Sequence, residues 1–434
     1  MGDGHYGLIS RVATIGISLS ELWFLPYNVK LKIFPWFLYK VLFKNTQEEQ
    51  AIEIIKVRTK KEMRDFVYLP QKIFKDNPCY VPPIWLDELK AYTSKNNPIL
   101  KNSDFELFLA LDDAGIAAGR IISYIDFNHN KFHKVDMGFF GAFECINNEQ
   151  AARMLIEAAE NYLIEKNMES VRGPINPAAE NWGFVYKGCE TPPVYMSPWN
   201  PFYYNDFFVR GGYEKAKDLL VYEADVKKGY RLPERYISFS EKFKKRYPDI
   251  RIRRINMSRI KEDARSIWEI SNIAMADNWG FVPLELDVME DMLSKLRLIV
   301  DPDAVWMVED AEKAVGFCLG FPDINILLKQ IRGNLLPFGW IKLLHGAKKL
   351  TDYRLFALAV LPDWQGKALD TIMYINLHKH LAHKRIRMEA NYILEDNFHI
   401  RNALEKLGFI HSKTYRIYEK ALNNQLPARD KNTV

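Results

Sequence analysis

Leu355-Phe356-Ala357-Leu358-Ala359-Val360-Leu361-Pro362-Asp363-Trp364-Gln365-Gly366-Lys367-Ala368 is the stretch that decides how this chain folds. Its apolar first half reads as a strand that stops at the proline. A short polar loop follows, and a helix is predicted from about Ala368 to Lys384. A strand that delivers a loop onto a helix N-terminus makes an anion site. The first helical amides lack intrahelical partners, and the helix dipole places partial positive charge beside them. Amides of Gln365 to Ala368 would wrap a phosphate, and Lys367 adds a mobile cation.

A second pattern follows at Asn397-Phe398-His399-Ile400-Arg401-Asn402-Ala403-Leu404-Glu405-Lys406-Leu407-Gly408-Phe409. Together the two stretches resemble the GNAT superfamily of acyl-CoA-dependent N-acyltransferases, over about Arg251 to Leu422. Val360, Pro362 and Gln365 match the family's Val-x-Pro-x-x-Gln/Arg-x-x-Gly-x-Gly/Ala. Ala368 stands at its first glycine and Asp370 at its last small residue. Asn397 and Glu405 to Phe409 match the last helix. Leu404 occupies the place of a tyrosine that often protonates the departing thiolate.

The resemblance implies acyl-CoA as co-substrate, with an acetyl or longer acyl group moving to a primary amine. It implies main-chain contacts to pantetheine and the oxyanion at Leu358, Ala359 and Val360. Gln365, Gly366, Lys367, Ala368, Leu369 and Asp370 would hold the pyrophosphate, and Asn397 would sit near the pantetheine arm. Glu389, on the strand expected to splay at the thioester, is the candidate base, while Glu395 and Asp396 read as helix-terminal charge. Tyr415 is the candidate acid in place of Leu404. Tyr418 has a matching Tyr222 in the first half and reads as packing.

The chain repeats itself once. Gly212-Tyr213 to Val221-Tyr222-Glu223 and Gly408-Phe409 to Ile417-Tyr418-Glu419 share Gly-aromatic-x-x-x-Lys-x-x-x-aliphatic-Tyr-Glu, 196 residues apart. That is a domain length, not a solenoid period. The first half follows the same order: strand 54–57, helix 60–74, hairpin 106–111 and 116–124, strand 134–144, a helix capped by Asn147, and strand 170–173. The expected class is therefore α+β / α/β, with two tandem GNAT-like domains whose mixed, mostly antiparallel sheets are flanked by helices. The divisions are 1–50 (aromatic, basic extension), 51–226 (degenerate copy), 227–250 (linker), 251–422 (acyl-CoA-binding copy) and 423–434 (tail). Glu144 and Glu149 replace the anion loop in the first copy and would repel a pyrophosphate, so that copy is expected to shape the substrate site.

Pro174 to Pro198 reads as a long loop. Its Asn181-Trp182-Gly183-Phe184-Val185 recurs as Asn278-Trp279-Gly280-Phe281-Val282. Two Trp-Gly loops facing one cleft is the functional reading, with Asn181, Trp182, Asn278 and Trp279 as substrate contacts; two unrelated apolar turns is the other. The apolar insert Ile324 to Leu344, with Trp340, suits a lipid-like chain. The chain is also compatible with the bacterial tandem enzymes that acylate long-chain, sphingoid-like amines, the ceramide synthases of bacteria.

Bulk numbers exclude several classes. Hydrophobic content of 48% supplies ample core, and 60 basic against 55 acidic residues gives no drive toward nucleic acid. The four cysteines include no CxxC pair, which fits a reducing, cytoplasmic compartment. His378, His380 and His383 do not share one helix face, so no metal is expected. Residues 20–45 are aromatic and basic. They read either as a peripheral contact with the inner face of the membrane or as an extra packed element. A non-catalytic CoA- or lipid-sensing module and a tRNA-dependent aminoacyl transferase are the rival readings.

Overall fold

The computed structural model describes residues 51–177, 181–236, 238–297 and 299–422. The expected N-terminal extension and C-terminal tail lie outside the described residues. The first half runs β1 (Glu53–Lys56), α1 (Lys60–Phe74), α2 (Trp85–Ala91), α3 (Pro98–Lys101), β2 (Ser103–Leu111), β3 (Ala117–Asp126), α4 (Phe127–His133), β4 (Met137–Cys145), α5 (Glu149–Glu165), β5 (Ser170–Gly173), β6 (Phe184–Lys187), α6 (Tyr203–Arg210) and β7 (Glu214–Asp225). The second runs α7 (Phe239–Arg246), β8 (Ile250–Arg254), α8 (Ile260–Ala274), α9 (Leu286–Leu296), β9 (Val305–Asp310), β10 (Lys313–Pro322), α10 (Asn325–Ile331), α11 (Gly339–Ala347), β11 (Asp352–Val360), α12 (Leu369–Leu381), β12 (Arg387–Leu394), α13 (Phe398–Lys406) and β13 (Ile410–Ala421).

Local signals explain most of these elements. Thr59 and Glu62 close a capping box on α1, and its apolar stripe buries Phe66, Val67, Leu69 and Phe74. Alternation on β2 sends Leu107 and Leu109 to one face and Phe108 and Ala110 to the other. Three expectations are corrected. The cap of α5 is Asn148, whose side chain accepts the Ala151 N–H at 2.9 Å, and not Asn147. Residues 127–133 form helix α4 ahead of β4, with Asp126 as cap, so the strand begins at Met137. The 174–198 stretch is not all loop, because Phe184–Lys187 pairs with β13.

All of these strands join one sheet in the order β1-β2-β3-β4-β5-β13-β7-β12-β11-β10-β9-β8, with β6 also on β13. Every pairing is antiparallel except β4 with β5 and β11 with β12. The order is palindromic about β13 and β7, and it shows an exchange. The last strand of the second half, β13, lies beside β5 of the first, and the last strand of the first, β7, lies beside β12 of the second.

The repeated motif fixes this exchange. Its two glutamates form equivalent ion pairs, Glu419 with Arg172 of β5 at 2.8 Å and Glu223 with Arg387 of β12 at 2.7 Å. Its two tyrosines reach the last helix of the other half. Tyr418 donates to Asn205 on α6, and Tyr222 to Glu405 on α13, each at 2.9 Å.

Candidate active site

The parallel pair β11 and β12 is in register only from Asp352–Arg387 to Leu355–Ala390, and then the strands part. Two irregularities drive them apart. Phe356 is an extra residue in β11 opposite the Leu319–Gly320 step of β10. Asn391 and Tyr392 interrupt the pairing of β12 with β7. Beyond the split, the Leu361 N–H donates to the Val315 carbonyl of β10 at 2.9 Å. Strand alternation therefore turns the main-chain groups of Leu358 and Val360 away from β10, toward the gap that β12 has left. The Gln365 side chain folds back on this gap and donates to the Val360 carbonyl at 3.1 Å.

The loop that follows is open. Gly366 (φ 73°) and Ala368 (φ 60°) are both left-handed, and open space surrounds the glycine where a side chain would stand. Ala368 begins α12 and no side chain caps it. The N–H groups of Leu369, Asp370 and Thr371 therefore lack intrahelical partners. The Lys367 ammonium rests over the Trp364 ring, 3.9 Å from its centre. Amides, dipole and lysine together suit a diphosphate.

The equivalent place in the first half is closed. Asn148 caps α5, and the Tyr204 hydroxyl accepts the Cys145 N–H at 2.8 Å and donates to Glu144 at 2.9 Å. The Tyr203 hydroxyl donates to the Cys145 carbonyl at 3.0 Å. The main-chain N–H that faces the gap at Val360 in β11 is thus occupied at its counterpart Cys145 in β4. Burial pushes the Glu144 carboxyl up to about 7.

A mostly apolar cavity of about 1110 Å³ runs from the first half into the gap between β11 and β12. Among the residues chosen from sequence, Leu358, Asp370, Asn397, Asn181, Trp182, Asn278 and Trp279 line it. Both Trp-Gly loops therefore meet one space, and both tryptophans pack against one buried cluster formed by Val185, Leu219, Val221, Tyr415 and Ile417. Trp279 also carries the Arg172 guanidinium 4.7 Å above its ring. Asn397 caps α13 through Ile400 N–H at 3.2 Å, and Leu404 adds a buried apolar side chain to the wall. Ala359, Val360, Gln365, Gly366, Lys367, Ala368 and Leu369 lie beside the cavity, in the strand end and loop, without forming its wall.

The two residues expected to be catalytic are not on the wall. Glu389 is fully buried and tied to Arg387 at 2.9 Å, Asn391 at 3.0 Å and Lys413 at 3.6 Å. Tyr415 is fully buried and packs edge-on against Tyr392, with ring centres 5.3 Å apart. Burial holds its phenol well above the ordinary value, and its hydroxyl, close to Ser197, makes no hydrogen bond of good geometry. The next three residues of β12, Ala390, Asn391 and Tyr392, line the cavity instead.

Asn391 is 1% exposed. Its amide donates to Ser197 at 3.0 Å and to Glu389, and its carbonyl oxygen has no partner. Arg354 is equally buried. It donates to the carbonyls of Tyr195 and Met196, leaves its Nε without a partner, and packs against the rings of Phe356 and Tyr392.

Two tandem halves, each built around one parallel strand pair and only the second with an open anion loop, give this chain a tandem GNAT fold. A tandem GNAT protein from the clavulanic acid biosynthesis pathway shares the fold, with a TM-score of 0.51 at 11% identity, over 86% of this chain and 99% of that one. No family model matches the sequence. The chain belongs to the family of the Caulobacter vibrioides protein named bacterial ceramide synthase. The two are 30% identical over 390 residues, covering 86% of this chain and 98% of that protein. Protein YghO of Escherichia coli K12 is also 30% identical, over 376 residues, covering 84% and 94%.

Proposed function

We propose that this protein is an N-acyltransferase that moves an acyl group from acyl-CoA to the primary amine of a long-chain, lipid-like acceptor. The cavity carries the reading. At about 1110 Å³ it exceeds the roughly 300–1,000 Å³ of ordinary small-molecule pockets, and it opens onto the free main chain of β11. A short acyl group and a small amine would leave most of it empty. The name of the Caulobacter relative supports the same substrate class.

The amine nitrogen attacks the thioester carbonyl. A C–N bond forms, the C–S bond breaks, and CoA departs as a thiol with the proton the amine gives up. The N–H groups of Leu358 and Val360 stabilise the oxyanion and align pantetheine. The amides from Gly366 to Asp370, with Lys367, hold the pyrophosphate. The free carbonyl oxygen of Asn391 accepts from the amine, and Glu389 and Ser197 position it. Tyr415 supports the Tyr392 ring. Arg354 Nε is a donor for an oxygen near the amine. Asn181, Trp182, Asn278 and Trp279 wall the acceptor chain.

The test is thiol release by the purified protein, with palmitoyl-CoA or acetyl-CoA against a long-chain 2-amino alcohol or a short amine. Turnover is expected only with the long-chain acceptor, and Gln365→Glu with Lys367→Glu should abolish CoA binding. Turnover of short amines at equal rates would overturn the lipid assignment. CoA binding without turnover of any amine would favour a sensing module.

A further inference from the structure

Between Asp323 and Asp352 the chain carries Lys329, Arg332, Lys342, Lys348 and Lys349 and not one aspartate or glutamate. The net charge of the whole sequence is +5. This single insert therefore holds an excess equal to that of the entire protein.

The insert is built and anchored, not a loose loop. Ile324, Leu327 and Leu328 of the α10 region pack with Leu343 and Ala347 of α11 on Ile299 and Phe321. Trp85 pins the turn between the helices, donating from its backbone N–H to the Gly333 carbonyl at 3.2 Å and from Nε1 to the Arg332 carbonyl at 2.9 Å. Asn325 and Leu328 form part of the cavity wall.

The outward side is different. Leu336 is 68% exposed, Phe338 73% and Trp340 48%, and Ile326 and Ile341 are exposed beside them. Such large apolar side chains grouped on one short insert mark an interaction surface. On α11, Leu343 and Ala347 point inward one turn apart, so Lys342, His345, Lys348 and Lys349 fall on the exposed face. Arg332 is exposed near the tip.

Aromatic and aliphatic groups at a tip, with several cations behind them and no acid, match one partner well. The rings can enter the headgroup boundary of a bilayer while lysine and arginine meet lipid phosphates. Nucleic acid would use the cations and leave the apolar tip in water. A second copy would bring five cations against five. We propose that residues 324–349 dock this protein on an anionic lipid bilayer. The proposal rests on this surface alone, and it holds or fails independently of the acyl-transfer reading.

The test is cosedimentation of the full chain with vesicles of phosphatidylcholine, alone or mixed with phosphatidylglycerol. Two variants at exposed positions accompany it: Phe338→Ser with Trp340→Ser, and Lys342→Glu with Lys348→Glu and Lys349→Glu. Circular dichroism checks their fold. The wild type should bind the mixed vesicles, and each variant should bind about tenfold or more weakly. Added salt should weaken the wild type more than the lysine variant. Undiminished binding by both variants would overturn the proposal, because attachment would then lie elsewhere. Equal binding to uncharged vesicles, or no vesicle binding but a self-association that the variants abolish, would overturn it as well.

Discussion

Among the described residues, burial raises the carboxyls of Asp126, Glu144 and Asp323, and the shift has a sign. Glu144 moves from 4.5 to about 7, and Asp323 from 3.8 to about 7, because each loses water around its charged form. Between those values the folded chain holds the proton and the unfolded chain has released it. The stabilisation is present below the lower value and is lost as pH rises to about 7. For Glu144 the loss is about 3 kcal/mol. Glu144→Gln cannot ionise, so its stability relative to wild type should improve from pH 5 to pH 8. Urea midpoints at both values test this, and a pH-independent difference would refute it. Glu389 compensates the charges of Arg387 and Lys413, and Lys413 is itself 3% exposed. Glu389→Gln should cost about 3–5 kcal/mol, read as a lower melting temperature. Asn391→Ala should keep the fold and lower kcat/KM about tenfold to a hundredfold, measured by thiol release. These residues also show where sequence reading stops. Glu389 was legible as an acid on the splayed strand, but nothing in the letters marks the break in pairing after Ala390. That break hands the cavity to Asn391 and Tyr392.

At the scale of elements, the loop before α12 was legible because proline, glycine and a following helix are local signals. What Ala368 does there was not. It stands where the superfamily pattern has glycine, and it adopts φ 60°, which a Cβ disfavours by about 1–2 kcal/mol. Ala368→Gly relieves that strain and adds freedom to the unfolded chain. A net gain of about 0.5–1 kcal/mol is expected in urea unfolding. Unchanged or lower stability would mean that the alanine methyl packs usefully. Strand β6 and helix α4 escaped the sequence reading for a common reason. Both are short segments with partners distant in the chain, β13 for the former, and Glu285 and Phe281 for the latter, which meet Asn128 and His133. The apolar insert was visible as composition. Which of its side chains face inward emerged only once α10 and α11 were packed together.

For the whole molecule, the duplicated motif announced two copies, but it could not announce the exchange. A Gly-aromatic strand ending in Tyr-Glu satisfies an arginine on either β5 or β12, since Arg172 and Arg387 offer the same partner. Only the sheet order reveals which one each glutamate meets. Because β13 lies between β5 and β7, residues 51–226 produced alone should lack the strand that covers β5, and residues 227–422 alone should lack β7. Each half is expected to be aggregated or poorly folded by size exclusion and circular dichroism, and coexpression should restore a soluble complex. Two well-folded, monomeric halves would show that the exchange is dispensable.

The exchange also sets a timetable for synthesis. Arg172 waits for Glu419, which lies 247 residues further along the chain. At roughly 5–20 residues per second, the ribosome leaves the edge of β5 uncovered for roughly 12–50 seconds. Throughout that interval the nascent first half has an unpaired strand edge and an unfinished apolar cavity, the two features that chaperones shield and that misassembly exploits.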